Sequence, residues 1–205
     1  MNIRTQIARL LEADFRRKIV IPLLKALGAF ATEDFHGPSE KGKDVYFAYE
    51  DIFGENKHCC FFIKIGDVKK SGKNDVRNMK GAIEEAVQRE FISPLDNRTS
   101  IYIEEFYFLC SGKVNQDARA FISEHLRKRQ MPNFKIFDID KLIETILKLI
   151  TRYNGILGSN YTFSTRTFEN YCNKIIEYEQ RKLVISLRPI PSARSHSEGK
   201  VVKNP

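Results

Sequence analysis

Two acidic side chains and one amine stand out by type and spacing. Glu40 and Asp44 lie in Gly37-Pro38-Ser39-Glu40-Lys41-Gly42-Lys43-Asp44, which runs into the β-branched and aromatic stretch Val45-Tyr46-Phe47-Ala48-Tyr49. Lys64 comes late in the next apolar run, His58 to Ile65. When two such runs close as a hairpin, a carboxylate at the start of one strand meets an ammonium late on its partner. Carboxylates are hard oxygen ligands for Mg²⁺ or Mn²⁺, and Mg²⁺ keeps several waters and binds substrate phosphate. A nearby lysine stabilises phosphoryl charge or helps deprotonate an attacking water. These are the parts of a metal-dependent phosphodiesterase. The same residues also have a plainer reading, in which Asp44 is a turn residue at a strand start and Lys64 snorkels from a strand edge.

The elements that must position these groups are legible from periodicity. Apolar residues recur at three- and four-residue steps from Ile3 to Leu27, predicting helix that Pro22 kinks or splits and Gly28 ends. Thr32 to Lys43 reads as a loop and Asp51 to Lys57 as a hairpin turn. The nearly continuous apolar return strand is expected at the centre of the sheet. A helix is predicted from Asn74 or Asp75 to about Phe91, then a strand over Ile101–Leu109. A helix follows from Asn115 or Gln116, then a short strand Phe134–Phe137, then a helix Lys141–Arg152 capped by Asp140. The fold class this implies is α/β, a mixed central sheet flanked by helices. The expected organisation is a domain over residues 1–152, a helical extension over 153–188, and a disordered Ser/Arg/Lys-rich tail over 189–205.

Composition narrows the setting. An apolar fraction of 42% with 15 phenylalanines excludes a wholly disordered chain of this length, 205 residues. Lys and Arg total 34 against 26 Asp and Glu, a net charge of +8 that suits phosphate contacts without demanding them. No apolar run reaches a membrane span, and charges at Arg4, Arg9, Glu12 and Asp14 interrupt any leader-like segment. Cys59, Cys60, Cys110 and Cys172 form no CxxC pair, so reduced, buried thiols in a cytoplasmic protein are expected. No Walker-type loop or nucleophile elbow is present, which argues against NTP hydrolysis and acyl transfer.

The loop Gly37 to Val45, followed by a strand ending Phe62-Ile63-Lys64, resembles the Mrr-like branch of the restriction-endonuclease-like, PD-(D/E)xK nucleases. In that family a G-x-x-E-x-G-x-D segment precedes a strand carrying (E/Q)-x-K. The resemblance covers about Asn2 to Ile150. It implies Asp44 as the metal-binding aspartate, Lys64 as the active-site lysine and Glu40 as an accessory acidic ligand. It also places Gln88 where the family often has a polar residue facing the site. The implied activity is Mg²⁺-dependent endonucleolytic cleavage of DNA, in prokaryotic defence or restriction, with a sensor or ATPase partner and a homodimer both compatible.

One departure stands out. The family's Glu or Gln two residues before the lysine is Phe62 here, and a phenyl ring cannot coordinate a hard cation. Three accounts remain open: Glu40 supplies the second carboxylate; Asp67-Val68-Lys69 acts as a displaced D-x-K; or the site is inactive and the fold serves nucleic-acid binding or complex assembly. His36 lies close enough to Asp44 to be a further candidate. Lys69, Lys70, Lys73 and Arg77 follow the motif strand as a basic stretch, readable as a phosphate grip or as a solvated loop.

Overall fold

The apolar run after the hairpin turn becomes the centre of the sheet. In the computed structural model, which describes residues 2–35, 44–70, 90–93, 98–128, 134–158 and 160–186, this strand is β3 (Asn56–Lys64). On one side it pairs antiparallel with β2 (Val45–Glu50), which pairs antiparallel with β1 (Ala31–Asp34). On the other side it pairs parallel with β6 (Glu105–Cys110), which pairs parallel with β7 (Phe134–Phe137). The order β1-β2-β3-β6-β7 therefore joins an antiparallel meander to a parallel half. A separate two-stranded ribbon pairs β4 (Phe91–Ile92) with β5 (Ser100–Ile101).

Side-chain alternation along β2, β3 and β6 serves two apolar layers. Val45, Phe47, Cys59, Phe61, Ile63 and Leu109 face one of them. That layer includes residues of α1 (Ile3–Ile7), α2 (Glu12–Phe15), α3 (Ile21–Ala26), α5 (Ile139–Asn154) and α6 (Phe168–Ser186). Tyr46, Cys60, Phe62, Phe106, Phe108 and Cys110 face the other, with Ala118 and Ile122 of α4 (Gln116–Lys128). A strand covered on both faces has no solvent side, which is why Cys59 to Ile63 is apolar without a break. The chain is thus a mixed α/β fold with helices on both sides of the sheet. All four cysteines are buried free thiols, and no helix among the described residues is long and apolar enough to cross a membrane.

Several elements differ from the periodicity reading. Ala31–Asp34, inside or next to the segment read as loop, is the edge strand β1, whose short polar sequence carries no apolar alternation. The N-terminal helical region breaks first at Ala8–Leu11. It then passes through a π-helical turn, Arg16–Val20, in which the N–H of Ile21 donates to the carbonyl of Arg16. This wide turn directly precedes Pro22, which lacks the N–H that the Lys18 carbonyl would otherwise receive. Phe91 lies in a strand rather than at a helix end. The stretch Ile101–Leu109 divides into β5 and β6. The cap of α5 is Asp138, whose carboxylate accepts from the N–H of Lys141 at 3.2 Å, so the helix starts two residues earlier than a cap at Asp140 requires. His36, Glu40, Lys73, Arg77, Gln88, most of the helix expected from Asp75 and the tail over 189–205 lie outside the described residues.

The ends of β3 and β6 are joined tightly. Ser111 donates its N–H to the carbonyl of Lys64 at 3.0 Å, and its Oγ accepts from the N–H of Gly66 at 2.9 Å. A Cβ on Gly112 would overlap the backbone of Gly66 and Asp67 and the Asp67 carboxylate, and backbone cannot swing aside as a flexible side chain can. Gly112→Ala is therefore expected to lower stability by about 3 kcal/mol. A shift of the urea midpoint at constant slope measures this, and an unchanged midpoint would contradict the packing.

Candidate active site

Asp44 sits immediately before β2 and faces the far end of β3. Its N–H donates to the carbonyl of Phe61 at 3.0 Å, and its Oδ2 accepts from the N–H of Ile63 at 2.5 Å. The carboxylate thus continues the ladder that β2's backbone leaves off, and one side-chain oxygen is committed to structure. The other, Oδ1, has no hydrogen bond or ion pair among the described residues. Lys64, the half-buried last residue of β3, acts on this carboxyl through its charge without an ion pair inside 4.0 Å.

Four further charged residues from other elements form a linked cluster at this end of the sheet. The π-helical turn carries Arg16, only 5% exposed, whose guanidinium reaches Glu12 of α2 at 2.8 Å and Asp34 of β1 at 2.8 Å. Arg17 reaches the second oxygen of Asp34 at 3.0 Å. Asp34 lies opposite Val45, and the carbonyl of Asp44 accepts from the N–H of Phe35 at 3.0 Å, so β1 ends where β2 begins. A buried guanidinium needs such partners, because an unpaired charge out of water is strongly unfavourable.

The electrostatic consequence falls on Asp44. Burial pushes its carboxyl up from the ordinary 3.8 to about 6. The Ile63 hydrogen bond and the charge of Lys64 oppose the shift, the Glu12 carboxylate adds to it, and Arg16 opposes it. The ionised form is the one that Lys64 and Arg16 already favour in part, and a divalent ion here would favour it further.

Phe62 has its ring in the α4-side layer, 4% exposed, stacked against Phe106 at 6.1 Å and Phe134 at 6.5 Å. It offers no donor at the position that stands across from Asp44 in the hairpin. Asp67 is not brought to the cluster: its Oδ1 accepts from the N–H of Lys113 at 2.8 Å, tying it to the segment after β6, while Val68 bridges Val114. Lys69 and Lys70 follow as exposed residues. Among the described residues no three His, Cys, Asp or Glu side chains gather as a ready-made metal cage. Mg²⁺ is usually held by only one or two carboxylates plus waters and substrate phosphate, and Asp44 is a carboxylate of that kind whose charge Glu12 also influences.

Glu12, Arg16 and Asp34 are the charged residues of this cluster that periodicity does not single out. The spacing of Glu12 and Arg16, i and i+4 on a helix, was a visible signal. Asp34 had none, because the edge strand that delivers it was not recognisable.

No protein-family model matches the chain, and no curated protein matches it. Among solved structures it is similar to the Moraxella osloensis Cap4 SAVED/CARF-domain containing receptor, at 13% identity and a TM-score of 0.38. That similarity covers 86% of this chain and 43% of that one, so the chain spans less than half the length of the receptor.

The raised pKa of Asp44 has a signed consequence. Between about pH 4 and pH 6 the folded chain holds a proton that the unfolded chain has released, so this carboxyl subtracts stability as pH rises through that window. Asn at position 44 keeps an acceptor for Ile63 and loses the charge. Asp44→Asn is expected to be more stable than the parent by about 2 kcal/mol at pH 7, with the gain vanishing towards pH 4. Paired urea titrations at the two pH values measure this, and a difference independent of pH would contradict the assignment.

Proposed function

We propose that the chain is a metal-dependent endonuclease acting on DNA phosphodiester bonds through Asp44, Lys64 and Glu12. The observation that carries the reading is the Asp44 carboxyl: pinned at the mouth of the hairpin, raised in pKa by burial, and acted on by both Lys64 and Glu12. A group so perturbed by desolvation and specific charged neighbours is a functional-site candidate on physical grounds. The resemblance of the loop and strand around Asp44 and Lys64 to the PD-(D/E)xK nucleases supports the roles of those two residues; the accessory acid it implies is Glu40, which lies outside the described residues.

In this reading Asp44 and Glu12 would hold Mg²⁺ or Mn²⁺, which would supply polarisation of the scissile phosphate and a lowered pKa for an attacking water. Asp44 binds in its ionised form, with Ile63 holding its orientation. Lys64 places positive charge where negative charge develops on the phosphoryl oxygens. Arg16 and Asp34 are positioning residues, since Arg16 fixes the direction of Glu12. Lys69 and Lys70 lie just beyond Lys64 in the chain and grip the phosphate backbone. A prokaryotic defence setting, with a sensor or ATPase as partner, belongs to the same proposal.

A second reading has its own observation. The Phe62 ring is built into the core between Phe106 and Phe134, which suits a nuclease-fold module that binds or assembles without cutting. Incubating the chain with plasmid and single-stranded DNA, with Mg²⁺, Mn²⁺ or chelator, separates the two. The enzyme reading expects metal-dependent nicking, reduced at least about 100-fold by Asp44→Asn and by Lys64→Met, with folding intact by circular dichroism. Glu12→Gln is expected to raise the metal concentration needed. Absence of both nicking and metal-linked thermal stabilisation in the parent chain selects the module reading.

A further inference from the structure

A cavity of about 230 Å³ lies between α3, the sheet and α5. Packed interiors leave few voids larger than a water molecule, so a hole of this size is unusual. Its sheet side is aromatic. Phe47, Tyr49, Phe61, Tyr107 and Phe137 come from four adjacent strands and pack ring against ring. Phe61 stands 5.2 Å from both Phe47 and Tyr107, and Tyr107 meets Phe137 at 5.8 Å. The helix side is aliphatic, with Leu23 and Leu24 of α3 and Leu142 of α5. These leucines, Phe47 and Phe61 are buried, whereas Leu27, just after α3, is 54% exposed, so the wall reaches solvent there.

The wall's polar atoms decide what it can hold. Three lining side chains carry one, Tyr49, Tyr107 and Thr145, and each is already engaged. Tyr49 donates its hydroxyl to Glu105 at 3.3 Å, and Tyr107 donates to the same carboxylate. Thr145 Oγ1 donates to the carbonyl of Lys141, one turn back in its own helix, at 2.9 Å. A charged or hydrogen-bonding group brought inside would lose its water with no offered replacement. A cavity of this character stays dry, and one of about 150 Å³ holds a benzene molecule, so this one has room for a second ring.

Among apolar ligands the ring wall favours an aromatic one. Ring–ring contacts add to the gain from buried area when they take offset or edge-to-face geometry, and the wall presents five rings already packed in place. A rigid planar molecule also loses less conformational freedom on entry than an alkyl chain of the same size. None of the lining side chains has a part in the proposed phosphodiester chemistry.

We propose that this cavity binds one small, uncharged aromatic molecule of about two fused rings, held between the ring wall and the leucines. Equilibrium dialysis and thermal melts of the 205-residue chain with naphthalene as the probe test it, and they read binding without reference to DNA cleavage. Saturable binding of one naphthalene per chain is expected, with a melting temperature that rises with probe concentration. Its charged analogue 2-naphthoate is expected to bind at least about 100-fold more weakly. Thr145→Phe, or Leu27→Trp at the half-exposed edge, fills the hole and is expected to weaken naphthalene binding at least about 10-fold without lowering the melting temperature of the free chain. Nuclear Overhauser contacts from the bound probe to the methyl groups of Leu23 and Leu142 locate it in the parent chain, whatever the variants do. Absence of saturable binding, 2-naphthoate bound as tightly as naphthalene, a folded filled variant that binds like the parent, or probe contacts confined to exposed residues such as Ile52 and Phe53 overturns the proposal.

Discussion

The hydrogen bond from the Ile63 N–H to the Asp44 carboxylate ties the start of β2 to the end of β3, and the rest of the site depends on it. A side chain that continues a backbone ladder cannot retreat to water when its charge becomes unfavourable. Held there, Asp44 takes the desolvation that raises its pKa, and it lies within the influence of Lys64 and Glu12. One oxygen of this carboxyl serves structure, and the proposed chemistry falls to the other.

Around it the charges are arranged by a buried guanidinium. Arg16 comes from a π-helical turn and holds two carboxylates from different elements, Glu12 and Asp34. Each ion pair by itself contributes little where it is exposed, but a guanidinium almost removed from solvent must keep its partners or destabilise the fold. The N-terminal helices are thereby bound to the edge strand, and Glu12, whose charge acts on Asp44, is held by Arg16.

Much of this was legible beforehand, for reasons visible in particular residues. The β2–β3 hairpin, the centrality of β3 and the placement of Asp44 towards the Lys64 end of β3 follow from apolar runs bounded by Gly54 and Asn56. The Phe62 ring, a departure in the motif, proved to be a core residue stacked on Phe106 and Phe134. What escaped were short or polar elements. Ala31–Asp34 has no alternation to reveal it, and the shift of the α5 cap from Asp140 to Asp138 turns on two acidic residues that are equivalent by type.

The sequence by itself determined the mixed α/β class, the apolar faces of the strands and the candidates Asp44 and Lys64, because these depend on local periodicity and residue chemistry. Only the tertiary structure decided that the charges of Glu12 and Arg16 act on Asp44, that Arg16 ties Glu12 to Asp34, and that Asp67 is bonded elsewhere. Those outcomes depend on which elements pack together, and contacts between residues far apart in the chain leave no periodic trace along it.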